Sequence, residues 1–146
     1  MVANEIKIRN AEPADHPRIL TVMPEWWGGR DVTALLPELF IVHFANTCFV
    51  AEQNGELVGF LVGFLSQAHP PDAYIHFVGV HPAQRQAQLG RTLYEQFFAV
   101  CRAQQRTVIR ACTSLVNTGS VSFHTRMGFQ VERGDSKFFF TKQLGV

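Results

Sequence analysis

The segment Ala73–Gln105 is the strongest constraint on the fold. AYIHFVGV alternates and is rich in β-branched and aromatic residues, so it reads as a strand. A turn follows, HPAQRQAQLG, and then RTLYEQFFAVCRAQQ, whose apolar residues recur at helical spacing from about Gln88 to Gln105. A second strand, TVIRACTS, comes directly after that helix. Together they put a β-turn-α unit in the middle of a mixed sheet.

The flanking segments add antiparallel strands. IKIRNA alternates Ile6 and Ile8 with Lys7 and Arg9, and Asp15 and Pro17 mark the start of a helix ended by Pro24. EWWGG reads as a loop carrying two exposed indoles, and Asp31 opens a second helical pattern that Pro37 kinks or divides. TCFVAEQ and ELVGFLVGFLSQ flank Asn54-Gly55, the clearest hairpin signal in the chain. NTGSVSFHTRM is a short helix closed at Gly128, and FQVER and KFFFTKQ are two last strands about a turn at Gly134-Asp135. The expected fold is α/β (α+β): one mixed sheet of six to seven strands with helices on both faces, in the order β-α-α-β-β-β-α-β-α-β-β.

Composition narrows the class. With 146 residues, 47% hydrophobic and 17% charged, the chain fits one domain, residues 1–146, with a real core. A net charge of +1 gives no reason to invoke nucleic acid or an anionic membrane. The absence of a long apolar run argues against a membrane span and for a cytoplasmic protein. Cys48, Cys101 and Cys112 sit in apolar surroundings and read as reduced thiols, and six scattered histidines show no metal-ligand spacing.

The turn after Val80 carries the chemistry. A helix start presents N–H groups without intrahelical partners and the positive end of the helix dipole. Arg85 and Arg91 strengthen that field, and Gly90 permits close approach, so a phosphate-bearing ligand is the natural guest. The nucleotide-loop pattern G-x-x-x-x-G-K-[ST] and the dinucleotide pattern G-x-G-x-x-G are both missing.

Two motifs in register carry a resemblance. Val80-His81-Pro82 followed by Arg85-Gln86-Ala87-Gln88-Leu89-Gly90 resembles the acetyl-CoA pyrophosphate loop of the GNAT N-acetyltransferases, V-x-P then R/Q-x-x-G-x-G/A. Asn117 to Phe129 resembles their second signature, N-x-x-S/A-x-x-F-Y-x-x-x-G-F. The resemblance covers the whole chain and implies acetyl transfer from acetyl-CoA to a primary amine, on a small molecule or a peptide, by direct attack in a ternary complex. It places the cosubstrate against Val78, Gly79 and Val80, the loop from Arg85 through Leu89 and Gly90 to Arg91 and Thr92, and Asn117, Ser120, Phe123 and His124.

The chain departs from the family pattern at three positions. Gln88 replaces a glycine, which costs roughly 1 kcal/mol or more if the backbone there is left-handed and less if it is not. His124 stands where the family carries the tyrosine assigned to protonate the leaving thiolate, and it is the candidate acid here. Tyr74 occupies the place of an early-strand glutamate, leaving His76 and Glu25 as candidate bases for the attacking amine. Alternation puts Tyr74, His76, Val78 and Val80 on one face. Glu25, Trp26, Trp27 and Asp31 lie in the segment that walls the acceptor site in this family, and the paired indoles suit an apolar or cationic amine. No metal is implied. Edge strands near the C-terminus are compatible with a homodimer. The alternatives are a non-catalytic acyl-CoA-binding module of the same fold and an unrelated α/β binding domain.

Overall fold

A computed structural model describes residues 5–145, apart from the side chains of Gln86 and Ala87. Seven strands form one sheet: β1 (Ile6–Asn10), β2 (Cys48–Gln53), β3 (Glu56–Leu65), β4 (Asp72–Val80), β5 (Val108–Ser114), β6 (Gln130–Arg133) and β7 (Lys137–Gln143). Their order across the sheet is β1-β2-β3-β4-β5-β7-β6. The helices are α1 (Asp15–Trp26), α2 (Leu39–His43), α3 (Leu89–Ala103) and α4 (Thr118–Arg126). The element order and the mixed sheet are those expected from sequence.

Local chemistry accounts for most boundaries. Asn54 and Gly55, at φ 53° and 79°, make the tight β2–β3 turn whose left-handed residues match the strand twist. Along α3, Leu89, Leu93, Tyr94, Phe97, Phe98 and Cys101 form one buried stripe facing the sheet. They meet Ala73, Ile75, Ile109, Ala111 and Phe140 in one apolar layer. On the opposite face, Ile19, Met23 and Trp26 of α1 and Ile41 of α2 cover Val50, Phe60 and Val62.

Two expectations about the first helices change. Helix α1 does not end at Pro24 but continues to Trp26, which is buried and stacks on Phe60 at 5.9 Å. A proline this close to the helix end forfeits one bond to the preceding turn, and burying the indole at the end of the Ile19-Met23-Trp26 stripe offsets that loss. Gly28 and Gly29, both at positive φ, then turn the chain. Asp15 is not a cap but the buried centre of an ion cluster. It accepts from Arg9 at 2.8 and 2.9 Å, from Arg18 at 2.9 Å and from the Glu12 N–H at 2.8 Å, and Glu52 bridges the same two arginines. Pro37 divides the second helical pattern into a 3-10 turn at Thr33–Leu35 and the short α2.

The sheet is interrupted where it matters. β4 and β5, the one parallel pair, match only at Asp72–Tyr74 with Val108–Arg110, and beyond Tyr74 they part. On its other side β4 stays paired with β3, but Val62 faces Phe77 and Gly63 faces Ile75, so His76 is an extra bulged residue. Bulge and splay together open a gap in the middle of the sheet.

Candidate active site

A cavity of about 720 Å³ occupies that gap. Trp26, Trp27 and Arg30 line it from the α1 face, and Ser120, Phe123 and His124 of α4 line it from the opposite face. The edge of β4 at Val78, Gly79 and Val80 runs between them, so the cavity passes through the sheet. The β4 edge from Ile75 to Val80 has no strand partner on its β5 side, which leaves backbone groups there for a ligand. Gly79 is required by close approach: a Cβ there would lie 2.6 Å from the Phe60 ring and 3.0 Å from Trp27.

The turn after β4 is built for an anion. Pro82–Ala87 is a 3-10 helix, Gln88 is left-handed at φ 61° and ψ 23°, and α3 starts at Leu89. The Gln88 carbonyl accepts the Thr92 N–H at 3.1 Å and the Thr92 hydroxyl at 3.2 Å. The N–H groups of Leu89, Gly90 and Arg91 precede the first intrahelical bond and have no partner within α3. Arg30, Arg85, Arg91 and Arg126 surround the same cavity. Among the described residues, the side chains of Arg30, Arg91 and Arg126 make no hydrogen bond or ion pair, so their charge is available to a guest. Arg85 is different: its Nε–H donates to the Val80 carbonyl at 3.1 Å and an Nη2–H to the Trp26 carbonyl at 2.8 Å.

Most of the expected cosubstrate residues converge here. Val78, Gly79, Val80, Arg85, Gln88, Gly90, Arg91, Asn117, Ser120, Phe123 and His124 all line the cavity. Leu89 instead packs into the core, and Thr92 bonds back to Gln88. The expected side-chain contacts of Gln86 and Ala87 lie outside the described residues. Asn117 also caps α4, accepting the Ser120 N–H at 3.2 Å. Sequence reasoning missed Arg30, Val116, Gly119, Arg126 and Met127. The stripe Gly119/Ser120, Phe123, Met127 follows helical spacing and was a usable signal for α4. Arg30 lies inside the segment read as the acceptor wall, between Trp27 and Asp31, but its own side chain carried no separate signal.

His124 is 4% exposed, and both ring nitrogens are engaged. Nδ1 lies 2.8 Å from the Ser120 carbonyl, which can only accept, so Nδ1 carries the proton and donates. Nε2 is then the acceptor for the Tyr94 hydroxyl at 2.7 Å. The ring stacks on Phe140 with centroids 3.9 Å apart. Burial pulls its pKa down to about 4, against the opposing effect of the Ser120 carbonyl, so the ring is neutral at pH 7.

The four residues assigned to one β4 face are divided between two. Because His76 is the bulged residue, alternation breaks there: Val78 and Val80 pack toward α3 and α4, whereas Tyr74 and His76 face α2. His76 stacks on Phe40 at 4.5 Å and donates from Nε2 to the Leu35 carbonyl at 2.6 Å. Nδ1 has no hydrogen-bond partner among the described residues. Tyr74 stacks on Phe64, and its hydroxyl lies 3.1 Å from Cys112 Sγ. Burial, followed by Cys112, holds the Tyr74 proton well above the usual phenol range. Neither residue lines the cavity wall itself.

The acceptor-side expectations are met in part. Trp27 lines the cavity, half-buried against Phe60 and Phe77. Trp26 also lines it but is mainly a core residue. Glu25 is exposed and outside the lining. Asp31 is exposed and accepts the Thr33 N–H at 3.0 Å and the Thr33 hydroxyl at 2.6 Å.

Comparison with known proteins places this geometry. The family model described as the acetyltransferase (GNAT) family matches residues 11–129. An L-2,4-diaminobutyric acid acetyltransferase from Virgibacillus pantothenticus is 35% identical over 77 residues, 53% of this chain and 48% of that protein. Its counterpart from Halalkalibacterium halodurans is 33% identical over 57 residues, 39% of this chain and 30% of that protein. The matches thus span about a third to a half of those relatives. Among solved structures, a diaminobutyrate acetyltransferase from Paenibacillus lautus, in complex with L-2,4-diaminobutyric acid and coenzyme A, superposes with a TM-score of 0.75 at 18% identity, covering 96% of this chain and 95% of that one. An N-acetyltransferase from Thermoplasma acidophilum in complex with coenzyme A gives 0.79 at 18% identity over 95% and 99%. At these identities the likeness establishes the fold. The family match across most of its length identifies the chain as a member of the GNAT acetyltransferase family.

Proposed function

We propose that the protein is an acetyl-CoA-dependent N-acetyltransferase acting on a primary amine. The observation that carries this is the cavity through the splayed β4–β5 gap, with a left-handed loop, the start of α3 and Arg91 at one end and Arg30 and Arg126 elsewhere in its lining. A pyrophosphate fits that end, because backbone N–H groups and guanidinium charge converge on it. An extended acyl-carrying arm fits along the unpaired edge of β4, whose N–H groups can stabilise negative charge developing on the acyl oxygen.

The amine approaches from the α1–α2 face. Among the described residues, no candidate base lines the cavity: Glu25 and Asp31 are exposed, and His76, behind the wall with its Nε2–H on the Leu35 carbonyl, would act from Nδ1 through an intervening water. The amine nitrogen bonds to the acyl carbon, the carbon–sulfur bond breaks, and the electron pair leaves on sulfur. A thiol of pKa about 8.5 leaves as thiolate at modest cost near neutral pH. His124, with its one proton on the Ser120 carbonyl, is better suited to positioning α4 against the cavity than to donating that proton. The partial relatives are named for L-2,4-diaminobutyric acid, which makes that diamine the first acceptor to test.

A second reading, an acyl-CoA-binding module without turnover, is favoured by one observation: among the described residues, no carboxylate and no unengaged imidazole lines the cavity. Incubation with acetyl-CoA and a panel of amines, read by mass spectrometry, separates the two. Acetylated product from any member supports transfer, and binding without product supports the module.

A further inference from the structure

We infer that Arg85 is a positioning residue that couples the phosphate end of the cavity to the tryptophan wall on the opposite side. The inference rests on the acetyl-CoA reading above.

The argument begins with the end of α1. Its last carbonyls are satisfied in sequence: Met23 accepts from the Trp27 N–H, Pro24 from Gly29 at 2.7 Å and Glu25 from Gly28 at 3.2 Å. The Trp26 carbonyl is left, and its partner is Arg85, 59 residues away, at 2.8 Å. A guanidinium at a helix C-terminus also meets the negative end of the helix dipole. The same side chain holds the Val80 carbonyl at the end of β4. Arg85 therefore pins α1 and β4 together beside the turn that would take the pyrophosphate.

Two of the five guanidinium N–H groups serve these carbonyls, and three are left for an anion. An anion bound there would fix a guanidinium that already holds Trp26. The next residues are Trp27, which walls the cavity, and Gly28-Gly29, whose positive φ turns the chain away from α1. Phosphate binding would thus order the acceptor wall. A lysine keeps the charge but cannot present the planar fork that spans two carbonyls and an anion.

The chain holds two tryptophans, Trp26 and Trp27, so their emission reports this wall without a label. The test measures acrylamide quenching of that emission with and without saturating acetyl-CoA, in wild type, Arg85→Gln and Arg85→Lys. Calorimetry defines saturation for each protein, and a thermal melt confirms folding. Wild type is expected to gain protection on binding. Arg85→Gln is expected to bind acetyl-CoA about tenfold more weakly and to lose the protection even when saturated. Arg85→Lys is expected to recover part of the affinity but not the protection. Full protection in saturated Arg85→Gln would reduce Arg85 to a simple anion contact and overturn the coupling. No calorimetric binding by wild type would overturn the acetyl-CoA reading itself, and the coupling with it.

Discussion

Gln88→Gly is expected to stabilise the protein. Gln88 sits at φ 61° and ψ 23°, joining the 3-10 turn to α3. A side chain in that region costs roughly 1–2 kcal/mol, because Cβ crowds the following carbonyl oxygen. Glycine relieves the crowding but adds about 0.4–1 kcal/mol of backbone freedom to the unfolded chain. The net gain is about 1 kcal/mol, or roughly 3 °C in Tm for a domain of this size. The two hydrogen bonds at this residue use its carbonyl, so glycine retains them. Gln88→Ala is the control, since it removes the amide but keeps Cβ, and it should melt within about 0.5 kcal/mol of wild type, as surface substitutions do. Thermal melts and urea titrations of the three proteins give the comparison. If the glycine variant melts no higher than the alanine variant, the strain assigned to this loop is not there.

Two further predictions concern buried titratable groups. His124 has a folded pKa near 4, below the ordinary 6.5, so the unfolded chain binds the extra proton. Its neutral burial contributes fully above pH 6.5 and is lost as pH falls toward 4, up to about 3 kcal/mol. Urea titrations of wild type across this range should show that slope, and His124→Phe should flatten it. The same variant, if His124 only positions α4, should change turnover without removing an ionisation from the pH profile. Asp15 is the opposite case: burial raises its pKa, but hydrogen bonds from Arg9, the Glu12 N–H and Arg18 together hold it below the ordinary carboxylate value. Its stabilisation is present above the unfolded pKa of about 3.9 and lost as pH falls through the lower folded value. At pH 7, Asp15→Ala should destabilise by about 2 kcal/mol, because two arginines, each about a third exposed, lose a buried partner. A chemical denaturation midpoint unchanged from wild type would contradict that.

The architecture was legible because its signals are local. Asn54-Gly55 dictates its turn, the α3 stripe dictates its buried face, and the β-turn-α unit marks the middle of the mixed sheet. The cavity lining was legible where motif residues carry it, from Val78 to Arg91 and from Asn117 to His124. What was not legible depends on events between strands. The bulge at His76 depends on β3 pairing, so simple alternation put Tyr74 and His76 on the wrong face. The role of Tyr94 depends on α3 facing α4, and sequence gave no sign that its hydroxyl would meet His124. Arg85 looked like a phosphate ligand alone, because its second partner, the Trp26 carbonyl, is a backbone atom with no side-chain signature. Trp26 looked exposed because Pro24 appeared to end the helix that buries it.

The most direct test of the account is calorimetric titration of the protein with acetyl-CoA, with ATP and NADH as controls. Selective saturable binding of acetyl-CoA is the expected result, and it should weaken in Arg91→Gln and Arg126→Gln, whose charges face the cavity unpaired. No heat with acetyl-CoA, or equal binding of all three ligands, would contradict the assignment of this cavity to an acetyl donor.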